Sequence, residues 1–248
     1  MGSNNASSNS SPSRSRRAQF SEDLASSTQR NLNDEQLQKV LQHHGYTELT
    51  RLSSRAFRAQ HPNWGLVTIK YAQELKHRHF LKQEAEFLYS NTNFNTNSNK
   101  QDIWPQYCDY FSSHKSDCLV LSYINGQTLL EMQTNSKATT PLLYHWLNAL
   151  EKVINQVHRL GFVHGDIKPS NIIFSPQGQA QLIDFGSVTK IRIEREKLRF
   201  DSYTPRYSRH HSITNKLDDW FALAVILEEL LDDAELPSRY QVLLKQHR

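Results

Sequence analysis

The chain has 248 residues, with 29 Lys and Arg against 25 Asp and Glu, a formal net charge of +4 and two cysteines. That length can bury one large core or two small lobes. The composition excludes a disulfide-built scaffold, and no apolar run approaches the roughly eighteen residues of a membrane span.

Residues 1–20 hold seven serines, three asparagines and Arg14, Arg16 and Arg17, with no acid before Glu22. Such a composition cannot bury a core, so 1–30 is expected to be a disordered tail. The first 20 residues carry +3 of the formal +4, which leaves the remainder at +1. A DNA partner is therefore not indicated. Ala6 stands where a myristoylation signal requires Ser or Thr. No secretory apolar region follows Met1, and the sparse cysteines suit a reducing compartment, so a cytoplasmic protein is expected. Histidines are scattered without cysteines or acids at zinc spacing, and no zinc site is predicted.

Along the chain, Asn33 with Gln36 and then Gly45 frame a leading helix over 31–45. Leu66-Val67-Thr68-Ile69-Lys70-Tyr71 is a β-branched run and predicts a strand. From Glu74 to Ser90, Leu75, Leu81, Ala85 and Leu88 recur at helical spacing, flanked by Phe80 and Phe87, with Glu84 and Glu86 inside the run. The asparagine-rich stretch from Ser90 to Asn99 predicts an exposed loop. Cys118 to Ser122 reads as an apolar strand that runs into a turn at Gly126. Cys108 and Cys118 are expected as reduced thiols on neighbouring strands. Leu217 to Leu227 is a helix apolar on most sides and hence buried, so Asp219 within it needs a partner.

The densest signal is His164-Gly165-Asp166-Ile167-Lys168-Pro169-Ser170-Asn171, followed thirteen residues after Asn171 by Asp184-Phe185-Gly186. Between them, Ile172-Ile173-Phe174, a turn at Ser175-Pro176-Gln177-Gly178, and Gln181-Leu182-Ile183 predict a tight hairpin. The hairpin would place two acids and an amide at one end of a small sheet. That arrangement suits phosphoryl transfer, in which Mg²⁺ holds a nucleotide triphosphate while a carboxylate receives the acceptor hydroxyl.

These segments resemble the catalytic and metal-binding loops of the protein-kinase-like superfamily. The resemblance implies Asp166 as catalytic base, Lys168 as charge stabiliser near the transferred phosphoryl, and Asn171 and Asp184 as Mg²⁺ ligands. It implies Lys70 as the strand lysine for the ATP phosphates and Glu84, rather than Glu86, as its helix partner. Leu121 takes the gatekeeper position, and the backbone of Ser122, Tyr123 and Ile124 would read adenine. Tyr203-Thr204-Pro205-Arg206-Tyr207 is similar to the segment closing the family's activation loop, where the Thr204 hydroxyl would bridge Asp166 and Lys168. Asp219 would hold the catalytic-loop backbone.

The pattern is not complete. The phosphate loop, usually glycine-rich, corresponds to Leu52-Ser53-Ser54-Arg55-Ala56-Phe57-Arg58, which has no glycine. Thr68 replaces the alanine that sits over adenine in the family. Gly165 stands where many kinases carry an arginine, and Arg209-His210-His211 replaces the closing Ala-Pro-Glu. Only 29 residues follow Asp219, which reads as a minimal helical lobe.

The expected fold is α+β: a two-lobed protein-kinase-like fold, with an antiparallel β-sheet N-lobe carrying one long helix and a shortened helical C-lobe. The kinase-like domain is placed at 46–248, with the N-lobe at 46–122, the hinge at 122–126 and the C-lobe at 127–248. The expected activity is ATP-dependent, Mg²⁺-assisted phosphoryl transfer to serine or threonine of a protein substrate. Two alternatives stand beside it. One is a small-molecule kinase of the aminoglycoside or choline type, favoured by Gly165; the other is a pseudokinase binding module, favoured by the glycine-free loop.

Overall fold

The computed structural model describes residues 35–94, 102–113, 116–135, 140–209, 211–231 and 236–246. The predicted tail, the Asn33 cap, His210 and residues 95–99 of the asparagine-rich stretch lie outside the described residues.

The described residues up to Thr47 form a unit of their own. Its helix α1 (35–43) ends at a turn in which Gly45 takes φ +86° and Tyr46 N–H bonds Leu41 O at 3.0 Å. That left-handed turn is the kind glycine adopts at low cost.

The second unit starts at Glu48. β1 (Thr47–Ser53), β2 (Ala56–His61), β3 (Gly65–Ala72), β4 (Tyr107–Ser113) and β5 (Ser116–Ser122) form one sheet in the order β1-β2-β3-β5-β4. The β2–β3, β3–β5 and β4–β5 pairs are antiparallel. The pleat sends successive side chains to opposite faces. Phe57, Ala59, Val67 and Ile69 are buried on one face, and Ala56, Arg58, Thr68 and Lys70 are half-buried on the other. The long helix α2 (Leu75–Ser90) buries Leu81, Ala85 and Leu88, which join Leu119 and Leu121 of β5 in the core. Both cysteines are free, and burial pushes the Cys108 thiol up to about 11 and the Cys118 thiol up to about 12.

The remaining elements are mainly helical: α3 (Leu129–Asn135), α4 (Thr140–Arg159), α5 (Lys216–Leu230) and α6 (Ser238–Lys245). Leu147, Leu150, Val153, Ile154 and Val157 recur every three or four residues on α4 and share a core with Leu223, Ile226 and Leu227 of α5. Asn215 caps α5 in a reciprocal box with Asp218. Short strands lie on this lobe. β6 (Gln127–Thr128), β8 (Ile172–Phe174) and β9 (Ala180–Leu182) form one small sheet, and β7 (Phe162–Val163) pairs with β10 (Thr189–Lys190). The fold is the expected two-lobed α+β kinase architecture, and the predicted hairpin is β8–β9. Among the described residues no helix is long and apolar enough to cross a membrane.

Candidate active site

The alternation of β3 turns Lys70 toward α2, and its Nζ donates to Glu84 Oε1 and Oε2 and to Asp184 Oδ1, each at 2.8 Å. Glu84 is 1% exposed, whereas Glu86 is open to solvent and 3.9 Å from Lys82. Glu84 Oε1 also accepts the Phe185 N–H at 3.2 Å, so one carboxylate ties together β3, α2 and the segment after Asp184. Burial acts to lower the Lys70 pKa, but the charges of Asp184 and Glu84 outweigh it and raise it. In return, the Lys70 charge draws Asp184 down to about 2. Burial pushes the Glu84 carboxyl up, with Lys70 opposing. A second anchor fixes α2 to β5: Arg78 donates to both Asp117 oxygens at 2.8 and 3.0 Å. Tyr110 and Ser112 donate to the same buried carboxylate at 2.9 and 2.7 Å.

Asp184 sits in the left-handed region at φ 68°. The next residue, Phe185, is fully buried and stacks on Phe87 with ring centroids 4.7 Å apart. A Cβ at Gly186 would meet Phe80 Cβ at 3.3 Å, which keeps this turn close against α2.

On the other lobe, donors converge on Asp166. Its Oδ1 accepts the Thr204 hydroxyl at 2.6 Å, and its Oδ2 accepts Lys168 Nζ at 2.6 Å and Asn171 Nδ2 at 3.3 Å. Lys168 Nζ also reaches Thr204 Oγ1 at 3.3 Å, and Asn171 Nδ2 donates to the Asp166 carbonyl at 2.9 Å. The expected bridge of Thr204 between Asp166 and Lys168 is present. Asp219 of α5 accepts the backbone N–H groups of His164 and Gly165 at 2.9 and 3.0 Å. It also accepts His158 Nε2 at 2.8 Å. Burial would raise the Asp219 pKa, but these donors hold it below the ordinary carboxylate range. No local sequence signal marks His158, which reaches Asp219 only because α4 packs beside α5.

His164 is fully buried and its tautomer follows from its partners. Nε2–H donates to Ile183 O at 3.1 Å, and Nδ1 accepts the Asp166 N–H at 3.3 Å. A second ring proton would face another donor. Burial pushes its pKa down in the same direction. Gly165 takes φ +80°, and a Cβ there would meet Ser187 O at 2.6 Å. Backbone geometry alone accounts for glycine at this position.

The predicted hinge residues keep their hydrogen bonds within the sheet lobe. Ser122 N–H bonds Gln106 O at 2.9 Å and Tyr123 N–H bonds Leu66 O at 3.1 Å, while Ile124 follows the end of β5. The structure thus groups Lys70, Glu84 and Asp184 in one cluster and Asp166, Lys168, Asn171 and Thr204 in another. Among the described residues no hydrogen bond joins Ser122, Tyr123 or Ile124 to either. The glycine-free turn between β1 and β2 is braced by side chains. Arg51 Nη1 holds the carbonyls of Ser53 and Ser54 at 2.9 and 3.1 Å, Tyr71 Oη holds Ser54 O at 2.9 Å, and Arg55 N–H bonds Ser53 Oγ at 3.3 Å. Asp184, with a side chain 47% exposed, and Asn171 offer the hard oxygen donors that suit Mg²⁺.

The family described as Protein kinase domain matches residues 54–245, more than half of the chain. The chain belongs to the protein kinase domain family. It is 25% identical over 174 residues to the citron rho-interacting kinase of Rattus norvegicus, covering 65% of this chain and 8% of that protein. It is 26% identical over 147 residues to the serine/threonine-protein kinase YPK2/YKR2 of Saccharomyces cerevisiae, covering 55% of this chain and 22% of that one. Similarity to the human myotonin-protein kinase reaches 38% over 78 residues, or 31% of this chain and 12% of that protein. The chain therefore spans between 8% and 22% of the lengths of these relatives.

Proposed function

We propose that this chain transfers the γ-phosphate of ATP to serine or threonine of a protein. In this reading Lys70, held by Glu84, binds the ATP phosphates, Asn171 and Asp184 hold Mg²⁺, and the backbone of Ser122 to Ile124 reads adenine. Mg²⁺, when bound, offsets the charge of the β- and γ-phosphates. Asp166 would receive the proton of the acceptor hydroxyl as that oxygen bonds to the γ-phosphorus and the bond from that phosphorus to the β,γ-bridging oxygen breaks to release ADP. The Lys168 ammonium would offset charge on the transferred group. In this reading the domain runs from 46 to 248.

One observation carries the reading: the Asp166 carboxylate holds a hydroxyl, that of Thr204, at 2.6 Å and an ammonium, that of Lys168, also at 2.6 Å. This is the environment a general base needs to orient an incoming hydroxyl. The donor set for the metal is also the right kind. Mg²⁺ uses few protein carboxylates and completes its shell with phosphate and water oxygens, which agrees with one acid and one amide.

Incubation of purified protein with labelled ATP, Mg²⁺ and protein acceptors, followed by mapping of the label, tests the proposal. Phosphoserine or phosphothreonine is the expected product. ATP turnover stimulated by an amino sugar or amino alcohol, with no phosphoprotein, would assign the chain to small-molecule kinases instead. Nucleotide binding with no turnover would make it a binding module.

A further inference from the structure

Two cations share the face of the sheet that looks into the cleft. β2 and β3 pair Ala56 with Lys70 and Arg58 with Thr68, and directly opposed residues of an antiparallel pair project to the same side. Lys70 on this face has two carboxylate partners. Arg58 has no ion pair among the described residues. Two residues of strand, about 7 Å, separate Arg58 from the residue opposite Lys70. The separation runs toward Leu66, whose carbonyl accepts the Tyr123 N–H. The Arg58 guanidinium follows that direction, with its carbon 6.0 Å from the centroid of the Tyr123 ring. Among the described residues this half-buried, planar cation therefore has no counter-charge, and it stands beside the Tyr123 ring at the hinge end of the sheet face, two strand residues from the one opposite Lys70.

We propose that Arg58 stacks its guanidinium on the base of the bound nucleotide and so is a binding determinant of the base end of the site. The proposal rests on the nucleotide reading above. Guanidinium is planar, permanently charged and weakly hydrated, and it stacks readily on aromatic faces. Its cross-strand neighbour Thr68 stands where the family places the residue over adenine, so the roof at that point is made of Thr68 and Arg58 together. Its direction toward Tyr123 points it away from Lys70 and the phosphates. The clamp also meets a need of this chain. The turn that would cradle phosphates has no glycine, and its Arg55 N–H is already bonded to Ser53 Oγ. A contact at the base end would add binding free energy that does not depend on that turn.

The experiment compares wild type, Arg58→Ala and Arg58→Lys in Mg²⁺, measuring direct binding of ATP and of inorganic tripolyphosphate by calorimetry. Thermal melts without ligand confirm that each variant is folded. A cation–π contact of this kind corresponds to about 3- to 30-fold in affinity. Arg58→Ala is expected to weaken ATP binding by about that factor while leaving tripolyphosphate within about twofold. Arg58→Lys, which keeps the charge without the plane, should fall between the other two. Equal losses for both ligands would make Arg58 a phosphate contact and overturn the proposal. Unchanged or tighter ATP binding in Arg58→Ala would also overturn it, since the guanidinium would then be idle or would fill the base site. If wild type binds tripolyphosphate but not ATP, or neither ligand, the nucleotide reading fails first and this proposal falls with it.

Discussion

Thr204 donates its hydroxyl to Asp166 Oδ1 at 2.6 Å across 38 positions of sequence. The contact ties the Tyr203–Tyr207 segment to the proposed base. Removing it should disturb the alignment of base and acceptor without touching the Lys70–Glu84–Asp184 cluster. Thr204→Ala is expected to lower turnover by about 10²-fold, a typical cost of small misalignment, with the ATP dissociation constant within about twofold of wild type. Thr204→Ser should restore most of the rate. Asp166→Asn should lose about 10²- to 10⁴-fold with nucleotide binding retained. Steady-state kinetics beside calorimetry separate these effects, and equal turnover in wild type and Asp166→Asn would remove Asp166 from its role.

The Lys70–Glu84 pair makes a prediction about stability. Glu84 is 1% exposed, so deleting Lys70 strands a carboxylate in the interior. Breaking one partner of such a pair costs about 3–5 kcal/mol, whereas replacing both by neutral groups costs much less. Lys70→Met should therefore be far less stable in urea than the double variant Lys70→Met/Glu84→Gln, a coupling that a double-mutant cycle reads directly. Equal stabilities for the single and double variants would show that Glu84 does not depend on Lys70. Asp184→Ala should leave stability nearer wild type, because the Asp184 side chain is half-exposed, but it should abolish the Mg²⁺ dependence of ATP binding.

What could be read from the sequence followed distance along the chain. The β8–β9 hairpin, the strand bearing Lys70 and the helix bearing Glu84 each announce themselves by local pattern, because a period of two or of 3.6 is written in adjacent residues. The choice of Glu84 over Glu86 and the Thr204 bridge came from the family pattern, since neither burial nor a partner 38 positions away leaves a local trace. The His158–Asp219 contact and the Arg78–Asp117 anchor were not legible. Each joins two elements whose relative placement only the packed lobe decides. Gly165 was legible as an oddity but not as a cause: its positive φ and the closeness of Ser187 O appear only in three dimensions. In the sequence the basic residues from Arg192 to Arg209, lying beside Glu194, Glu196 and Asp201, read as a solvated charge-rich loop before they read as a surface for an acidic acceptor. In the structure Arg195, Lys197 and Arg206 are paired within the chain, so much of that charge is already neutralised.

His164 sets a pH dependence whose sign is fixed by its hydrogen bonds. In the folded chain the neutral ring is favoured, and its pKa lies below the ordinary 6.5. Below that ordinary value the unfolded chain takes up a proton that the folded chain refuses. The stability linked to His164 is therefore complete above about 6.5 and is lost as pH falls toward the folded pKa, with a slope of at most about 1.4 kcal/mol per pH unit. Asp184 acts in a lower window: its contribution is lost only as pH falls from the ordinary 3.8 toward about 2. Urea midpoints from pH 7.5 to 5 for wild type and His164→Gln should differ in slope, the variant being flatter. Parallel curves would mean that His164 takes up its proton in the folded state as readily as in the unfolded one.

The activation segment is held by contacts that need no phosphate. Arg192 N–H bonds Thr214 O at 2.8 Å, Thr214 N–H bonds Ile193 O at 2.9 Å, and Arg195 N–H bonds Ser212 O at 2.8 Å. The Arg195 guanidinium then bridges Asp201 at 3.1 Å and Asp218 at 3.2 Å, while His211 lies 2.8 Å from the other Asp218 oxygen. Phe200 completes the attachment by packing edge-on against His79 of α2, with centroids 5.3 Å apart. Many kinases order this segment by pairing a phosphorylated residue with an arginine at the position of Gly165, which here can offer no charge. The Arg195 guanidinium instead ties the carboxylates of Asp201 and Asp218, an attachment made without a phosphate. Phosphatase treatment is therefore expected to leave activity unchanged, with Ser187, Thr189, Ser202 and Tyr203 unmodified. Arg195→Met should instead cost about 1.5–3 kcal/mol, the usual range for hydrogen bonds to charged groups, and should open the segment between Thr189 and Arg209 to limited proteolysis. Loss of activity on dephosphorylation, recovered by modification at one of those four hydroxyls, would show that the carboxylates are not a sufficient substitute.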